Sequence, residues 1–429
     1  MTDPASTAPV RNSSGQAPAG DPWPLPPARS YFLLGCIVLA YVGVYLCRKN
    51  FSVGLPLIQK SFGVEKAQMG LVISYSAAAY AIGKFIFGPI IDKLGGRLCL
   101  LAVLVGVALF GALGSSASSL PMLICFYTAN RFCGSAGWGS IIKLTPRWFP
   151  QRRMALAVAF LSLSFVFGGA CALGFAGLIA AWTRNNWRAV MGVPSIVLFA
   201  IFLFCWRVIP DDRAISAEER TAGGGFNFGY VRQLLRIPQL WVVLAIAFSF
   251  YLMRETFNDW TVDFIKTEGG AHMTLNAAAL LSTPFDIAGA LGIVLLGWAF
   301  DHMSRLVRTV ALVGSLLLLA ALINYLPFFF HLGLWQVETA IGLIGFLSYG
   351  PYSLLAGVLA IEIGGKKGVS TVAGMVDSAG YLGTVLAGRE FGKLLDRGGY
   401  VLGFHVLALA TVVSAALCLA LKSKPRSES

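Results

Sequence analysis

From Tyr31 onward, apolar runs of about twenty residues follow one another with only short polar breaks. A helix of about twenty apolar residues crosses the roughly 30 Å hydrocarbon core of a bilayer and satisfies its own backbone polar groups. The sequence therefore predicts an all-α membrane protein. Its composition, 57% hydrophobic and 12% charged, against about 25% charged in soluble domains, excludes the cytosolic, secreted and nucleic-acid-binding classes despite a net charge of +13.

Twelve transmembrane spans are predicted along this series. They cover residues 31–57, 68–91, 98–116, 121–145, 154–181, 187–209, 238–265, 275–300, 308–329, 335–361, 369–393 and 399–421. The longest polar interruption falls between the sixth and seventh spans, so the chain divides into two halves. We predict a disordered cytoplasmic tail (1–29), an N-terminal six-helix bundle (30–209), a cytoplasmic linker (210–236), a C-terminal six-helix bundle (237–422) and a short cytoplasmic tail (423–429).

The orientation in the membrane follows from the positions of the basic residues. The segments on the same side as the predicted tails carry most of the loop Lys and Arg residues, among them Lys93, Arg97, Arg147 and Arg213. Cytoplasmic loops carry an excess of Lys and Arg, because basic residues resist translocation. We therefore expect both termini in the cytoplasm, and we attribute most of the net positive charge to this asymmetry.

Cysteine and histidine indicate no metal or redox chemistry. The eight cysteines are scattered singly through apolar stretches, no pair has C-x-x-C spacing, and the four histidines lie near span ends. This pattern predicts neither a zinc site nor a disulfide framework. No nucleophile–base pair stands out either, so we expect no cofactor, no catalytic residue and no enzymatic activity.

An internal repeat relates the two halves. The sequence Y-L-x-R-x-x-F occurs at residues 45–51 and again at 251–257, which places Arg48 and Arg254 in the first span of each half. About forty residues later, each half shows G-x-x-x-D, ending at Asp92 and at Asp301. Two matched features at similar offsets predict duplicated six-helix bundles, an architecture that binds substrate near the bilayer midplane between its halves.

The stretch from Gly88 to Arg97 resembles the signature loop of the major facilitator superfamily, and the resemblance implies its fold of two pseudo-symmetric six-helix bundles. Within that superfamily, other stretches resemble the organophosphate:phosphate antiporters, which include glycerol-3-phosphate and hexose-phosphate transporters. These stretches are YLCRKNF, YAIGKFIFG with Tyr80 and Lys84, Gly137-Trp138 followed by Lys143, Tyr251 with Arg254 and Asp259-Trp260, FLSYGP around Tyr349, and Lys366-Lys367 followed by GYLG.

This resemblance implies a function and a location. It implies a secondary active transporter that exchanges a phosphorylated organic anion for inorganic phosphate by alternating access. We expect a multi-pass protein of the bacterial inner membrane that is embedded in the lipid bilayer and acts as a monomer. Its expected ligands are organic phosphate and inorganic phosphate, and we expect no nucleic-acid partner. Two alternatives stay open: a proton-coupled symporter of another organic anion, and a non-transporting membrane sensor of sugar phosphates.

The residue pattern itself points to anion binding. An arginine at the bilayer centre costs about 2.5–3.5 kcal/mol on insertion scales, so it must face an aqueous cavity or a charged partner. A guanidinium group matches phosphate oxygens in a bidentate manner, and we expect Arg48 and Arg254 to bind the phosphate. Tyr41 and Tyr45 share a helical face with Arg48. The predicted substrate-binding residues are Arg48, Arg254, Lys84, Tyr41, Tyr45, Tyr80, Tyr251 and Tyr349.

Acidic residues offer a competing explanation, in which each arginine is neutralised by a neighbouring helix. The candidates are Asp286, Asp377 and Glu255, and we expect Asp286 and Asp377 to balance charge or to exchange a proton. Lys49 should point away from Arg48 towards a structural partner. We expect Arg131 and Lys143 at the cavity mouth or in structural pairs. The predicted gating residues, expected to form interhelical salt bridges and caps, are Asp92, Arg97 and Asp301.

One position departs from the family pattern. Phe165 stands where the glycerol-phosphate branch has a histidine, which argues against glycerol 3-phosphate as the substrate. For the mechanism, we expect an empty site to bring the two guanidinium charges together in a poorly solvated cleft, which Coulomb repulsion disfavours. Exchange should then dominate over net transport.

Overall fold

The computed structural model describes residues 24–150, 153–210, 232–353 and 360–419, and every regular element in these ranges is helical. Two short 3₁₀ helices, Thr145–Arg147 and Leu326–His331, accompany the α-helices. The α-helices are α1 (Pro27–Phe62), α2 (Lys66–Leu94), α3 (Gly96–Ser115), α4 (Leu120–Gly134), α5 (Gly137–Leu144), α6 (Met154–Trp182), α7 (Trp187–Val208), α8 (Pro238–Glu268), α9 (Leu275–His302), α10 (Arg305–Tyr325), α11 (Leu334–Ser353) and α12 (Ala360–Leu419).

The helices follow the predicted spans closely, and eight described helical segments are long and apolar enough to cross a membrane by length and composition. The fourth predicted span is the exception, because it forms two helices, α4 and α5, that break at Ser135 and Ala136. Most of the predicted linker and the predicted ends of the chain lie outside the described residues.

Helix α12 contains the last two predicted spans and reverses direction between them. Gly399 has a φ of 64°, a left-handed conformation that a right-handed helix cannot continue and that glycine adopts without steric cost. The rings of Phe391 and Phe404 lie 6.3 Å apart, whereas thirteen residues of straight helix would separate them by about 20 Å. The two arms of α12 therefore fold back on each other, at the break that the sequence predicts between residues 393 and 399.

Within the described ranges, the helices pack into two halves that meet mainly along three helix pairs. Within the halves, α1 packs on α6 and α7, α8 packs on α12, and α9 packs on α11. Between the halves, α2 packs on α12, α6 on α9, and α1 on α8. The contact of α2 with α12 is close: a Cβ atom on Gly70 would lie 2.5 Å from the carbonyl oxygen of Gly388, so only small residues permit this approach.

The two halves are sealed at the end of the molecule where α2 begins. The backbone N–H groups of Lys66 and Ala67 donate to the carboxylate of Asp396, at 2.9 and 2.7 Å, so a side chain of the C-terminal half satisfies the first turn of α2. The Lys66 ammonium group also pairs with Asp263 at 2.5 Å, and Tyr400 donates to the same carboxylate. On the predicted topology this is the outer end, and the arginines lie deeper, between the halves.

Candidate functional site

Glu255 links the two repeat arginines across the interface. Arg254 donates to Oε1 of Glu255 from Nε at 3.0 Å and from Nη2 at 2.8 Å, while Arg48 donates from Nη2 to Oε2 at 3.3 Å. The Glu255 side chain is 5% exposed, so each of its oxygens is shielded from water and serves a different arginine. The N-terminal half, through α1, is thereby joined to the C-terminal half, through α8.

This arrangement corrects one expectation. An empty site was expected to hold two unshielded guanidinium groups, and that is wrong, because Glu255 lies between them. A buried charge without a partner is strongly destabilising, and one carboxylate here stabilises two guanidinium groups at once. Of the three acidic residues considered as partners for the arginines, Glu255 forms an ion pair with both.

Tyrosine rings surround the two arginines symmetrically. The Arg48 guanidinium lies 5.4 Å from the ring centroid of Tyr45 and 5.7 Å from that of Tyr80. The Arg254 guanidinium lies 4.3 Å from the ring centroid of Tyr251 and 5.4 Å from that of Tyr349. Such cation–π contacts contribute about 0.5–2 kcal/mol each.

Tyr41 lies one turn further along α1. Its ring packs against Tyr45, with centroids 5.4 Å apart, and against Trp138 at 5.8 Å. The structure thus brings six of the eight predicted substrate-binding residues around one buried carboxylate: Arg48, Arg254, Tyr45, Tyr80, Tyr251 and Tyr349. Tyr41 reaches this group through Tyr45.

Lys84, the eighth, belongs to a second polar cluster between the halves. Its ammonium group donates to Oδ2 of Asp377 at 2.8 Å, and the Tyr251 hydroxyl donates to Oδ1 of the same carboxylate at 2.7 Å. The side chains of Lys84 and Asp377 are each 29% exposed, so this cluster is reachable by water. It joins α2 of the N-terminal half to α12 of the C-terminal half.

Lys49 and Asp286 form a third cluster on another face of α1. The Lys49 ammonium group donates to both oxygens of Asp286, at 3.1 and 2.8 Å, and to Oδ1 of Asn258 at 2.7 Å. The Tyr349 hydroxyl donates to Asp286 at 3.3 Å. Both charged side chains are buried, so Asp286 balances the charge of Lys49 rather than that of an arginine.

A small open cavity lies beside Arg48 on the N-terminal half. Arg131, from the last turn of α4, lies in its wall, with the guanidinium 4.6 Å from the ring centroid of Tyr80. No ion pair with a described carboxylate involves Arg131. The lining residues with polar side chains are Tyr41, Tyr45, Arg48, Tyr80, Asn130 and Arg131.

Sequence reasoning did not include Arg131 among the substrate-binding residues. The available signal was its charge inside an apolar span, since a charged residue within a membrane helix most often faces a functional cavity. The break of the fourth span into α4 and α5 was not foreseen, and with it the position of Arg131 close to the end of a shortened helix.

Of the three predicted gating residues, the structure describes the side chain of Arg97. Arg97 donates from Nε to the carbonyl oxygen of Ile209 at 2.7 Å and from Nη2 to that of Trp206 at 3.0 Å, which ties the start of α3 to the end of α7. The side chains of several residues considered in the sequence lie outside the described part of the structure: Asp92, Phe165, Asp301, Lys366 and Lys367.

Residues 37–388 match the family model of the Major Facilitator Superfamily. The chain belongs to this superfamily. It also resembles a solved structure of a bacterial homolog of the human lysosomal transporter Spinster, in an inward-facing and occupied conformation, with a TM-score of 0.74 and 17% identity over 92% of this chain and 97% of that one. The predicted fold class is thus confirmed, and the chain is a membrane-spanning transporter rather than an enzyme.

Curated relatives agree with the resemblance found in the motifs. A probable hexose phosphate transport protein of Chlamydia pneumoniae is 28% identical over 88% of each chain. The membrane sensor protein UhpC of Escherichia coli is 26% identical over 91% of each chain. A hexose-6-phosphate:phosphate antiporter of Salmonella typhimurium is 24% identical over 87% of this chain and 82% of its own.

Proposed function

We propose that this transporter exchanges a phosphorylated organic anion for inorganic phosphate by alternating access. One observation carries the proposal: arginines at equivalent positions of the two halves converge on a single buried anion, the Glu255 carboxylate. The relatives that transport hexose phosphate support the chemical class of the substrate. We also propose a bacterial inner-membrane location, since the relatives are bacterial, and a monomeric state. The distribution of basic residues supports the placement of both termini in the cytoplasm.

The phosphate group is taken to bind between Arg48 and Arg254. A phosphate carries nearly two negative charges and offers several acceptor oxygens, so two guanidinium forks bind it with charge-assisted hydrogen bonds. The bond from Arg48 to Glu255 is longer than the bonds from Arg254. Arg48 is therefore the arginine that an incoming phosphate contacts first. Arg254 stays paired with Glu255 until the ligand bridges the halves.

The conformational cycle then depends on the sealed end. Opening that end requires the N-terminus of α2 to leave Asp396 and requires Lys66 to leave Asp263. A ligand shifts this equilibrium only by binding one conformation better than the other. A phosphate held by arginines of both halves does so, because both contacts exist only while the halves are close together.

Counterflow in reconstituted vesicles tests the proposal. Vesicles preloaded with inorganic phosphate are challenged with phosphorylated sugars, glycerates and phosphonates. Arg48→Lys and Arg254→Lys keep the charge but lose the fork, and we expect each to reduce exchange at least about a hundredfold. Arg397→Lys, at an exposed turn of α12, is the matched control and should exchange normally. Normal phosphate counterflow by Arg254→Lys would overturn the proposal.

A membrane sensor is the second candidate, because the relative UhpC is as similar to this chain as the transporters are. A sensor of this architecture binds the phosphorylated ligand and does not exchange it. Binding without counterflow in the same preparation therefore identifies a sensor. A proton-coupled symporter, with Asp286 or Asp377 as the proton site, instead requires a pH gradient and no internal counter-anion.

A further inference from the structure

Arg131 differs from the other basic residues that surround the site. Arg48 and Arg254 share Glu255, Lys84 pairs with Asp377, and Lys49 pairs with Asp286. Arg131 forms no ion pair within the described ranges; its guanidinium lies over the Tyr80 ring at 4.6 Å, and it interacts electrostatically at longer range with Glu255 and Asp259. Asp259, one turn beyond Glu255 on α8, is not ion-paired with it either.

The charges of the site explain why such a residue is needed. Glu255 offsets one of the two charges that Arg48 and Arg254 bring, so these three groups together carry a single positive charge. That is too little to balance a phosphate group carrying nearly two negative charges. Arg131 supplies the second positive charge. With Arg131, these four groups carry two positive charges, equal and opposite to a phosphate dianion, while Glu255 stays in place.

The geometry places this second charge where a ligand can reach it. Arg131 and Arg48 line the same small open cavity. The ring of Tyr80 contacts both guanidinium groups, with Arg48 at 5.7 Å. Tyr80 therefore orients both guanidinium groups towards one cavity through its ring face, a contact that does not occupy their N–H donors.

We infer that Arg131 is an anion-binding residue of the transport site: the phosphate group enters the cavity between Arg48 and Arg131 while Arg254 still holds Glu255, and it contacts Arg254 as well once it bridges the halves. This inference rests on the proposed function and adds a third guanidinium group to it. A structural alternative exists, since a cation in the last turn of α4 also stabilises that helix through its C-terminal carbonyl groups. That role affects stability and leaves phosphate affinity unchanged.

Equilibrium binding of inorganic phosphate to the purified full-length chain in detergent separates these roles. We expect Arg131→Gln to weaken phosphate binding at least about tenfold, the loss of one charge-assisted contact. Arg131→Lys retains the charge and should fall between Arg131→Gln and the wild type. The matched control Arg397→Gln, which removes an exposed arginine, should bind as the wild type does. Each variant's unfolding temperature without phosphate reports on its fold.

A double variant distinguishes direct binding from charge balance alone. If Arg131 contacts the phosphate, Arg131→Gln combined with Glu255→Gln still binds weakly, although the net charge of the site is restored. Wild-type affinity in that double variant, or in Arg131→Gln, overturns the inference. If the Gln variants do not fold, the phosphate affinity of Arg131→Lys tests the inference instead: an affinity equal to that of the wild type overturns it. A wild-type protein that binds no phosphate instead refutes the proposed function itself, so the two failures are distinguishable.

Discussion

Arg48 and Glu255 form an ion pair of 3.3 Å between the first helix of one half and the first helix of the other. Arg254 holds the same carboxylate at 2.8 Å from the neighbouring position of α8. Glu255 therefore belongs to the C-terminal half, and its bond to Arg48 is the one that changes when the halves move apart. A built-in anion thus occupies the place between the arginines when no substrate is bound.

Replacing Glu255 by glutamine should make exchange more strictly coupled. The amide cannot offset two guanidinium charges, so the empty protein would have to bring them together against Coulomb repulsion. We expect Glu255→Gln to bind phosphate about twofold more tightly and to lose most of its net phosphate efflux, while counterflow persists. Efflux from loaded vesicles, with and without external phosphate, measures both. Unchanged net efflux would contradict a shielding role for Glu255.

The Lys84–Asp377 ion pair between the halves should tune the affinity of the site for anions. Asp377→Asn leaves Lys84 without its carboxylate and should strengthen anion binding severalfold, whereas Lys84→Gln should weaken it. Charge-assisted contacts of this kind are worth about 1.5–3 kcal/mol. Apparent affinities from counterflow provide the measurement.

A matched control for that pair exists on the surface. Lys393 and Glu390 form an exposed pair at 2.7 Å within α12, and exposed pairs contribute little. The double variant Glu390→Lys/Lys393→Glu, which swaps the two residues, should leave transport unchanged. Equal affinities for Asp377→Asn and the wild type would exclude the proposed role of Asp377.

The sealed end should open when Asp396 is removed. The carboxylate accepts from the first two backbone N–H groups of α2, and Asp396→Ala leaves them to water, at a cost of about 0.5–2 kcal/mol. Ser74→Cys reports the change, because Ser74 is hydrogen-bonded to Val385 across the interface. With the exposed Cys125 and Cys171 replaced by serine, we expect faster modification by a water-soluble maleimide. An unchanged rate would show that Asp396 does not hold this end closed.

The Lys49–Asp286 pair should contribute to stability. Both charges are buried, and removal of one partner from a buried pair typically costs about 3–5 kcal/mol. Asp286→Asn should therefore lower the unfolding temperature in detergent substantially. The double variant Lys49→Gln/Asp286→Asn should recover part of that loss, since no uncompensated charge remains. If both variants unfold at the same temperature, the pair is not coupled as described.

The span boundaries and the repeat arginines were predictable from sequence because they depend on local properties. Runs of apolar residues determine which segments can cross a bilayer, and residues such as Tyr45 and Arg48 share a helix face at any packing arrangement. The positions of Glu255 and Arg131 were not predictable in this way. Glu255 follows Arg254 directly, so helix periodicity alone places the two on different sides of α8, and only the approach of Arg48 brings all three together.

The sequence by itself determined that the chain is a helical membrane protein with an internal repeat that places one arginine at equivalent positions of its two halves. These properties follow from hydropathy, charge asymmetry and an internal repeat, which need no knowledge of packing. Tertiary structure alone decided which acid neutralises which base: Glu255 for the arginines, Asp377 for Lys84 and Asp286 for Lys49. The physical reason is that ion pairs between helices depend on distances of a few ångströms, set by helix rotation and register rather than by spacing along the chain.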